Sequence, residues 1–441
     1  MDALEDELDE SDADFVVTLQ LLAGGMGEEG HADGGADEAR LLEPRGLAVD
    51  VRRQRVYVAE LHAIRAVDLC TGAVETLAGA EDEGDADGPG DAARFNNLRG
   101  IAMSDDGRRL CVCDFWNHCV REITFAPLAG GGSGRRRRER RRVDPALVRA
   151  CVGGVHTWHS PGGLSTPNDV AFDSAGTLFI ACGSGFDDDT IRSMSSTGDL
   201  ALEAGVLGSA GDADGPCKSA TFDSPQGIAV DERGSLYIAD YCNHAIRKVN
   251  LAQDRVVTIA GCAGEAGDCD GDGVDSRFTE PSCICLSSAP LAGSGERTIY
   301  VAEGTGRVRW LRRVWCCSLA DESASDYLVG TIVGTPDLWA PRGIAVVPGS
   351  GDLLVSDAGK SVVWQLGLRS GLRSRLLLAR KRLLFSMAVL LRQSGAAGRQ
   401  SPASLLSADV LSAQHPVPST LSACFVGAFA EGWAVRAGRV C

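Results

Sequence analysis

One pattern recurs six times along the chain, and it constrains the fold more than any other feature. Its clearest copy begins at Pro225 with PQGIAVDERGSLYIAD, passes through a turn to AIRKV, and ends with VVTIAG at Gly261. Related copies begin at Pro44, Leu98, Pro167, Pro281 and Pro341, so that successive starts lie 54 to 69 residues apart. Repeats of this length build arrays in which each unit buries its apolar surface against its neighbours.

The composition of each copy indicates strands and turns. Short apolar runs are separated by Gly, Asp or Asn, which favours strands over helices. Four such runs per copy predict one four-stranded propeller blade. The sixth copy has only three runs, but residues 15–25 read FVVTLQLLAGG and match the fourth run of other copies. We therefore predict an all-β, six-bladed β-propeller closed by an N-terminal strand, an arrangement that removes open sheet edges.

Two copies share a polar core, D-x-x-N-H-x-[IV]-R, after the second apolar run. Its residues are Asp114, Asn117, His118 and Arg121 in one copy and Asp240, Asn243, His244 and Arg247 in the other. This core resembles the NHL repeat, and the linkers GDADGPGDAARF and GDADGPCKSATF resemble those between NHL blades. The resemblance covers residues 15–366. It implies a six-bladed propeller of NHL type, a fold that usually serves as a binding platform.

The formal charge of −17 conceals a separation of charge along the chain. Residues 367–441 carry net +8 and the run Arg135–Arg142 carries net +6, which leaves −31 on the rest. We predict an acidic disordered arm at 1–14, a propeller at 15–366 with an insertion at 125–149 that contains the arginine run, and a basic tail at 367–441. The segment 372–393 has the spacing of an amphipathic helix, so the tail is expected to be partly helical and otherwise poorly ordered. It would pack on the propeller, or contact a membrane surface or an acidic partner.

Four of the six linkers between blades are acidic. In an antiparallel blade these linkers lie at the same end as the turns between the second and third strands, and we call this end the top face. The other turns form the bottom face. An acidic top face would attract a basic protein or peptide. The predicted partner-binding residues are Asp85, Asp87, Asp212, Asp214, Asp270 and Asp272. The alternative is that these residues are solvated turn residues, because Asp suits turns.

Two other patterns suggest chemistry. Asn168 and Asp169 stand where other copies have Arg-Gly or Gln-Gly, at the start of an inner strand, so they are candidates for polar groups facing the central channel. The run Asp268, Asp270, Asp272 resembles the start of an EF-hand loop and is the candidate metal site, with calcium as the cation. An ordinary linker is the competing interpretation, since the run lacks a Glu at the twelfth position.

The function that best fits these observations is non-catalytic binding of a protein or peptide. The alternative is a metal-dependent hydrolase or lyase, similar to propeller lactonases or peptide-amidating lyases, with its site at the central channel. Nucleic acid is an unfavourable partner because the propeller is acidic. No cofactor is expected apart from the calcium hypothesis, and a monomer is expected. The start of the chain has no apolar run typical of a secretory signal, which favours a cytoplasmic location.

Overall fold

The computed structural model describes residues 15–126, 152–158, 163–183, 188–289, 296–313, 326–332 and 338–370. Within these ranges the chain is all-β and forms six antiparallel sheets. Blade one contains β2 (Leu47–Asp50), β3 (Arg55–Ala59), β4 (Ala63–Asp68) and β5 (Val74–Gly79). Blade two contains β6 (Leu98–Met103), β7 (Arg109–Asp114), β8 (Cys119–Phe125) and β9 (Val152–Trp158). Blade three contains β10 (Pro167–Phe172), β11 (Leu178–Cys182), β12 (Thr190–Met194) and β13 (Leu200–Ala204).

The remaining blades follow the same order. Blade four contains β14 (Pro225–Val230), β15 (Ser235–Asp240), β16 (Ala245–Asn250) and β17 (Arg255–Gly261). Blade five contains β19 (Pro281–Leu286), β20 (Ile299–Glu303), β21 (Arg307–Arg313) and β22 (Tyr327–Thr331), and a two-residue linker strand, β18 (Gly271–Asp272), pairs with β22. Blade six contains β23 (Pro341–Val346), β24 (Leu353–Asp357), β25 (Val362–Ser370) and β1 (Phe15–Ala23). The predicted six-bladed propeller is confirmed.

The first strand of every blade lies at the centre of the ring. These strands contact one another in the closed order β2, β6, β10, β14, β19, β23 and back to β2. Six hydrophobic clusters fill the spaces between neighbouring blades, one for each interface. The second strands are buried along their whole length, as in Leu236–Asp240 of β15, because both faces of a blade are covered. This explains why they read as continuous apolar runs rather than as an alternating pattern.

Blade six is closed by the two ends of the propeller, as predicted. β1 pairs antiparallel with β25 from Phe15 opposite Ser370 to Ala23 opposite Val363. The strand β25 therefore continues four residues beyond the predicted boundary at 366. The arm at 1–14, the insertion with Arg135–Arg142, and the tail beyond residue 370 lie outside the described residues.

Glycine as the third residue of a repeat copy, near the start of its inner strand, reflects the close approach of the neighbouring blade. A Cβ atom on Gly227 would lie 2.9 Å from the Cα of Cys283 in blade five, which is closer than side-chain atoms tolerate. Gly46, Gly100 and Gly343 are crowded in the same way. Blades three and five carry Asp169 and Cys283 at this position instead, and both residues line the cavity at the axis of the ring.

Candidate functional site

Four blades contain a fully buried arginine in the third strand. Arg65, Arg121, Arg247 and Arg309 are at most 1% exposed. Each guanidinium donates to an equally buried carboxylate at the end of the second strand, at 2.8 to 3.1 Å. These carboxylates belong to Glu60, Asp114, Asp240 and Glu303. In three of the blades the guanidinium also lies over an aromatic ring, that of Phe95, Phe222 or Phe278. Buried charges require such partners, because an isolated charge in a low-dielectric interior is strongly unfavourable.

A linker aspartate completes each of these ion pairs from the top face. Asp33, Asp87, Asp214 and Asp270 accept from the second guanidinium nitrogen at 2.7 to 2.8 Å. The same carboxylates also accept from a threonine of the fourth strand, as Asp214 does from the backbone and hydroxyl of Thr258. Although burial opposes the effect, Thr157 and then Arg121 lower the pKa of Asp87. Each linker aspartate thus ties its linker to the following blade.

The other members of the repeated core are also structural. Asn117 and Asn243 donate to the carboxylates of Asp114 and Asp240 at 2.9 Å, and to a linker carbonyl at 2.8 Å. The Nδ1 atoms of His118 and His244 accept from the backbone N–H of the residue before the next inner strand, at 3.1 and 3.2 Å. The core D-x-x-N-H-x-[IV]-R therefore encodes blade geometry rather than a reactive site.

The predicted partner-binding acids divide into two groups. Asp87, Asp214 and Asp270 hold buried arginines, although each remains nearly half exposed. Asp85 and Asp212 are exposed, and neither forms a hydrogen bond or ion pair with the described residues. Asp272 is half-buried in the short strand β18. Partner binding through these six residues stays a prediction, but only Asp85 and Asp212 present carboxylates that are not already engaged by an arginine or half-buried.

Two of the three candidate calcium ligands already form ion pairs with arginines. Asp268 lies 2.5 Å from Arg307, and Asp270 lies 2.7 Å from Arg309. Among the residues that the structure describes, no group of three or more His, Cys, Asp or Glu side chains has an arrangement suited to a metal ion. Calcium binding at Asp268, Asp270 and Asp272 stays a prediction, and it would require at least two ion pairs to open.

Near the top face, the axis of the ring holds a cavity of about 140 Å³. The second residue of each of the six repeat copies contributes a side chain to the lining of this cavity. These residues are Arg45, Arg99, Asn168, Gln226, Ser282 and Arg342. The three arginines come from blades six, one and two, which are neighbours, so one half of this mouth is cationic and the other half is polar and uncharged. The sequence comparison missed this arrangement, although the signal was the repeated PRG or LRG at the start of three copies.

Three guanidinium groups in one mouth affect each other. Arg99 lies over the ring of Phe115 and donates to Asn168 Oδ1. Burial and then the charges of Arg45 and Arg342 lower the pKa of Arg99 to about 9. Arg45 donates to Glu43 at 2.8 Å, but burial still lowers its pKa, and Arg342 adds to this effect. The mouth is therefore a site where positive charge is concentrated without full compensation.

Asn168 and Asp169, the channel candidates from the sequence, both line the cavity at the mouth. The Nδ2 atom of Asn168 donates to the carbonyls of Gly183 and Pro225, so that this side chain bridges blades three and four. Asp169 lies one level deeper and accepts from the backbone N–H groups of Val170 and Ile228 at 2.9 and 3.0 Å. Burial raises the pKa of Asp169 to about 7, although these two hydrogen bonds oppose the shift.

The raised pKa of Asp169 makes stability depend on pH. A carboxyl whose folded pKa lies above its ordinary value of 3.8 opposes folding when it ionises, so its unfavourable contribution grows between about pH 4 and 7. We compare the melting temperatures of the wild type and of Asp169→Asn. The difference, wild type minus variant, is therefore expected to fall by several degrees from pH 5 to pH 8. The exposed Asp85→Asn serves as the control. An Asp169→Asn difference that stays constant between the two pH values would contradict the shift.

Large apolar side chains are exposed almost only on the top face. Six such residues are exposed among those described, and five of them lie in top-face linkers or turns. These five are Met26, Trp116, Leu207, Val274 and Trp339. The two tryptophans are 55% and 71% exposed. Trp116 packs edge-to-face on Phe115, which carries Arg99 on its ring, so this aromatic pair adjoins the cationic half of the mouth.

Comparison with known proteins agrees with the geometry. The family model described as NHL repeat matches residues 95–123 and 222–249, which run from the linker phenylalanine to the third strand in blades two and four. The chain is 27% identical over 285 residues to the protein SUPPRESSOR OF QUENCHING 1, chloroplastic, of Arabidopsis thaliana, covering 60% of this chain and 25% of that protein. It is 28% identical over 308 residues to NHL repeat-containing protein 2 of Gallus gallus, covering 62% and 39%. The chain thus spans less than half of these relatives.

Solved structures show the same fold at low identity. An auxiliary nutrient binding protein from Bacteroides thetaiotaomicron aligns with a TM-score of 0.56 at 13% identity, over 80% of this chain and 77% of that one. A putative phosphatase from the same organism aligns with a TM-score of 0.57 at 12% identity, over 81% and 79%. These similarities concern the fold alone. No helix within the described ranges has the length and hydropathy to cross a membrane. The cytoplasmic location and the monomeric state stay predictions.

The repeated core, the six closed blades and the matches in blades two and four agree with one another. The NHL matches coincide with the two blades in which the Asp, Asn, His and Arg of the core are all present. Their contacts are those that hold a blade to its linker. The chain is therefore a six-bladed β-propeller that contains NHL repeats in blades two and four.

Proposed function

We propose that this propeller is a non-catalytic binding module that engages a protein or peptide partner through its top face. The observation that carries the proposal is the segregation of exposed apolar side chains. Five of the six exposed large apolar residues among those described lie on this face, and Val51 alone lies on the bottom face. Exposed tryptophans are unfavourable in water and are enriched in the energetically dominant residues of protein interfaces.

Charge on the top face supports recognition as well as contact. The unengaged carboxylates of Asp85 and Asp212 lie in the rim formed by the linkers, whereas the three arginines of the mouth lie at the axis. A partner with a basic surface around a smaller acidic or apolar feature would match this pattern. Long-range attraction by the rim would mainly increase the rate of association, and buried contacts at the tryptophans would slow dissociation.

The alternative, a metal-dependent hydrolase or lyase at the channel, has less support from the donor set. Of the residues that line the mouth cavity, Asp169 supplies the only carboxylate, and no histidine is present. The oxygen of Asn168 already accepts from Arg99. Three nearby arginines would also repel a cation. The mouth is better suited to an anionic group than to a metal ion.

A paired set of variants tests the proposal. Trp116→Ala combined with Trp339→Ala removes the two largest exposed side chains of the top face and is expected to reduce capture of specific partners from the native cell extract at least tenfold. Val51→Ala alters the one comparable residue on the bottom face and should leave capture unchanged. Recovery of the same partners in equal amounts by both variants would contradict a top-face site.

A further inference from the structure

We propose that the half-ring of Arg45, Arg99 and Arg342 binds an oxyanion, such as the carboxylate of an acidic side chain of the partner. This inference deepens the proposed function, on which it rests, by naming the chemical group that enters the channel. The three side chains line one cavity of about 140 Å³ at the axis of the ring. That volume suits a small anionic group rather than a whole domain.

The first argument is the lack of compensation around Arg99. Its hydrogen-bond partner is the neutral amide of Asn168, and its ring partner is Phe115. Its Nε atom is buried and has no hydrogen-bond partner among the described residues, and the same is true of the Nε atoms of the four structural arginines. A buried guanidinium normally satisfies its donors with carboxylate or carbonyl oxygens. An oxyanion in the cavity would give Arg99 the charged acceptor that the four structural arginines already have.

The second argument is the contrast with the other buried arginines of the same fold. Arg65, Arg121, Arg247 and Arg309 each contact two carboxylates, one from the second strand and one from the linker. Arg99 has no carboxylate partner among the described residues, and the charges that lower its pKa are the other two arginines of the mouth. The four structural arginines are therefore compensated by carboxylates, whereas Arg99 in the mouth is not.

The third argument is orientation. Asn168 is fixed by its two bonds to backbone carbonyls, so its oxygen must face Arg99. The ring of Phe115 supports the other side of the guanidinium, with its centroid 3.3 Å from the central carbon. A preorganised guanidinium loses little conformational entropy on binding and matches the planar geometry of a carboxylate.

The carboxylates near the mouth do not neutralise it. Glu43 pairs with Arg45 at its outer edge. Glu280 accepts from the hydroxyl of Tyr241 at 2.7 Å. Asp169 lies one level below and is held by two backbone N–H groups. The three guanidinium groups therefore exceed the two carboxylates near them, Glu43 at the outer edge and Asp169 beneath, and this excess of positive charge favours a bound anion by Coulomb attraction.

The test uses two probes, inorganic phosphate and a tetraglutamate peptide with blocked ends, titrated calorimetrically into the full chain at low ionic strength. Saturable binding to the wild type is expected. Arg99→Gln should weaken it at least tenfold, and Arg45→Gln combined with Arg342→Gln provides a second variant if the first folds poorly. Arg108→Gln removes an exposed arginine from the bottom face and should leave the affinity within twofold.

The outcomes separate the sources of the anion. Tighter binding of tetraglutamate assigns the mouth to an acidic side chain of the partner, and binding of phosphate alone assigns it to a small free anion. Absence of saturable binding of both probes to the wild type, or equal weakening by Arg99→Gln and Arg108→Gln, would overturn the proposal. Loss of capture by the tryptophan variants together with unchanged anion affinity in the arginine variants would retain the binding face and reject the anion site.

Discussion

Replacing Arg247 with alanine is expected to lower the free energy of unfolding by about 3–5 kcal/mol. The guanidinium is 1% exposed and contacts Asp240, which is fully buried, at 2.8 Å. Without it, Asp240 keeps only Asn243 and one backbone N–H as partners in a dry environment. Asp214 would also lose one of the contacts that tie its linker to blade four. Urea denaturation measures the loss.

A matched control and a double variant separate the ion pair from general loss of packing. Arg233→Ala alters an arginine that is 60% exposed and lies 3.4 Å from Glu296, and it should change stability by less than about 0.5 kcal/mol. The double variant Asp240→Ala with Arg247→Ala should cost clearly less than the sum of the single variants, since no buried charge is left alone. Additive losses would show that the pair is not coupled.

Deleting residues 1–24 is expected to have an even larger effect, because it removes the strand that completes blade six. The strand β1 supplies the fourth strand of blade six and pairs with β25 from end to end. Its side chains Val17, Leu19, Leu21, Leu22 and Ala23 pack into the clusters on either side of blade six. Losing this packing corresponds to several kcal/mol, so we expect a melting temperature at least about 10 °C lower and aggregation through the open edge of β25.

The control removes residues 1–14 and leaves β1 intact, and its melting temperature should equal that of the full chain. Adding a synthetic peptide of residues 15–24 to the longer deletion should restore part of the stability, because the peptide can pair with β25 as an added strand. A full-length melting temperature for the 1–24 deletion would contradict closure by the N-terminal strand.

The architecture could be predicted because the blade pattern recurs six times in the sequence. Strand and turn residues recur at fixed positions, so one degenerate copy does not obscure the pattern. Even the closure of blade six by an N-terminal strand could be predicted, because FVVTLQLLAGG resembles VVTIAG. The propeller boundary predicted at residue 366 lies before Ser370, because β25 continues beyond the end of the repeat pattern where it pairs with β1.

The site could be predicted only in part, because its side chains come from different blades and meet only when the ring is closed. In the sequence, Asp85 and Asp87 look alike, yet Asp87 turns inward to Arg121, 34 positions later, and Asp85 stays exposed. Comparing copies drew attention to Asn168 and Asp169, where the pattern changes. The arginines at positions 45, 99 and 342 could not be identified from the sequence, because each resembles an ordinary repeat residue. Only the arrangement of six blades around one axis brings them to the same mouth.

The central claim is that the top face is where this propeller meets its partner, and site-specific photo-cross-linking tests it most directly. Benzoylphenylalanine is placed at position 116 on the top face or at position 108 on the bottom face of the full chain, which is then irradiated in native cell extract. We predict discrete cross-linked partners from position 116 and none from position 108. Equal cross-linking from both positions, or partners from position 108 alone, would contradict the account.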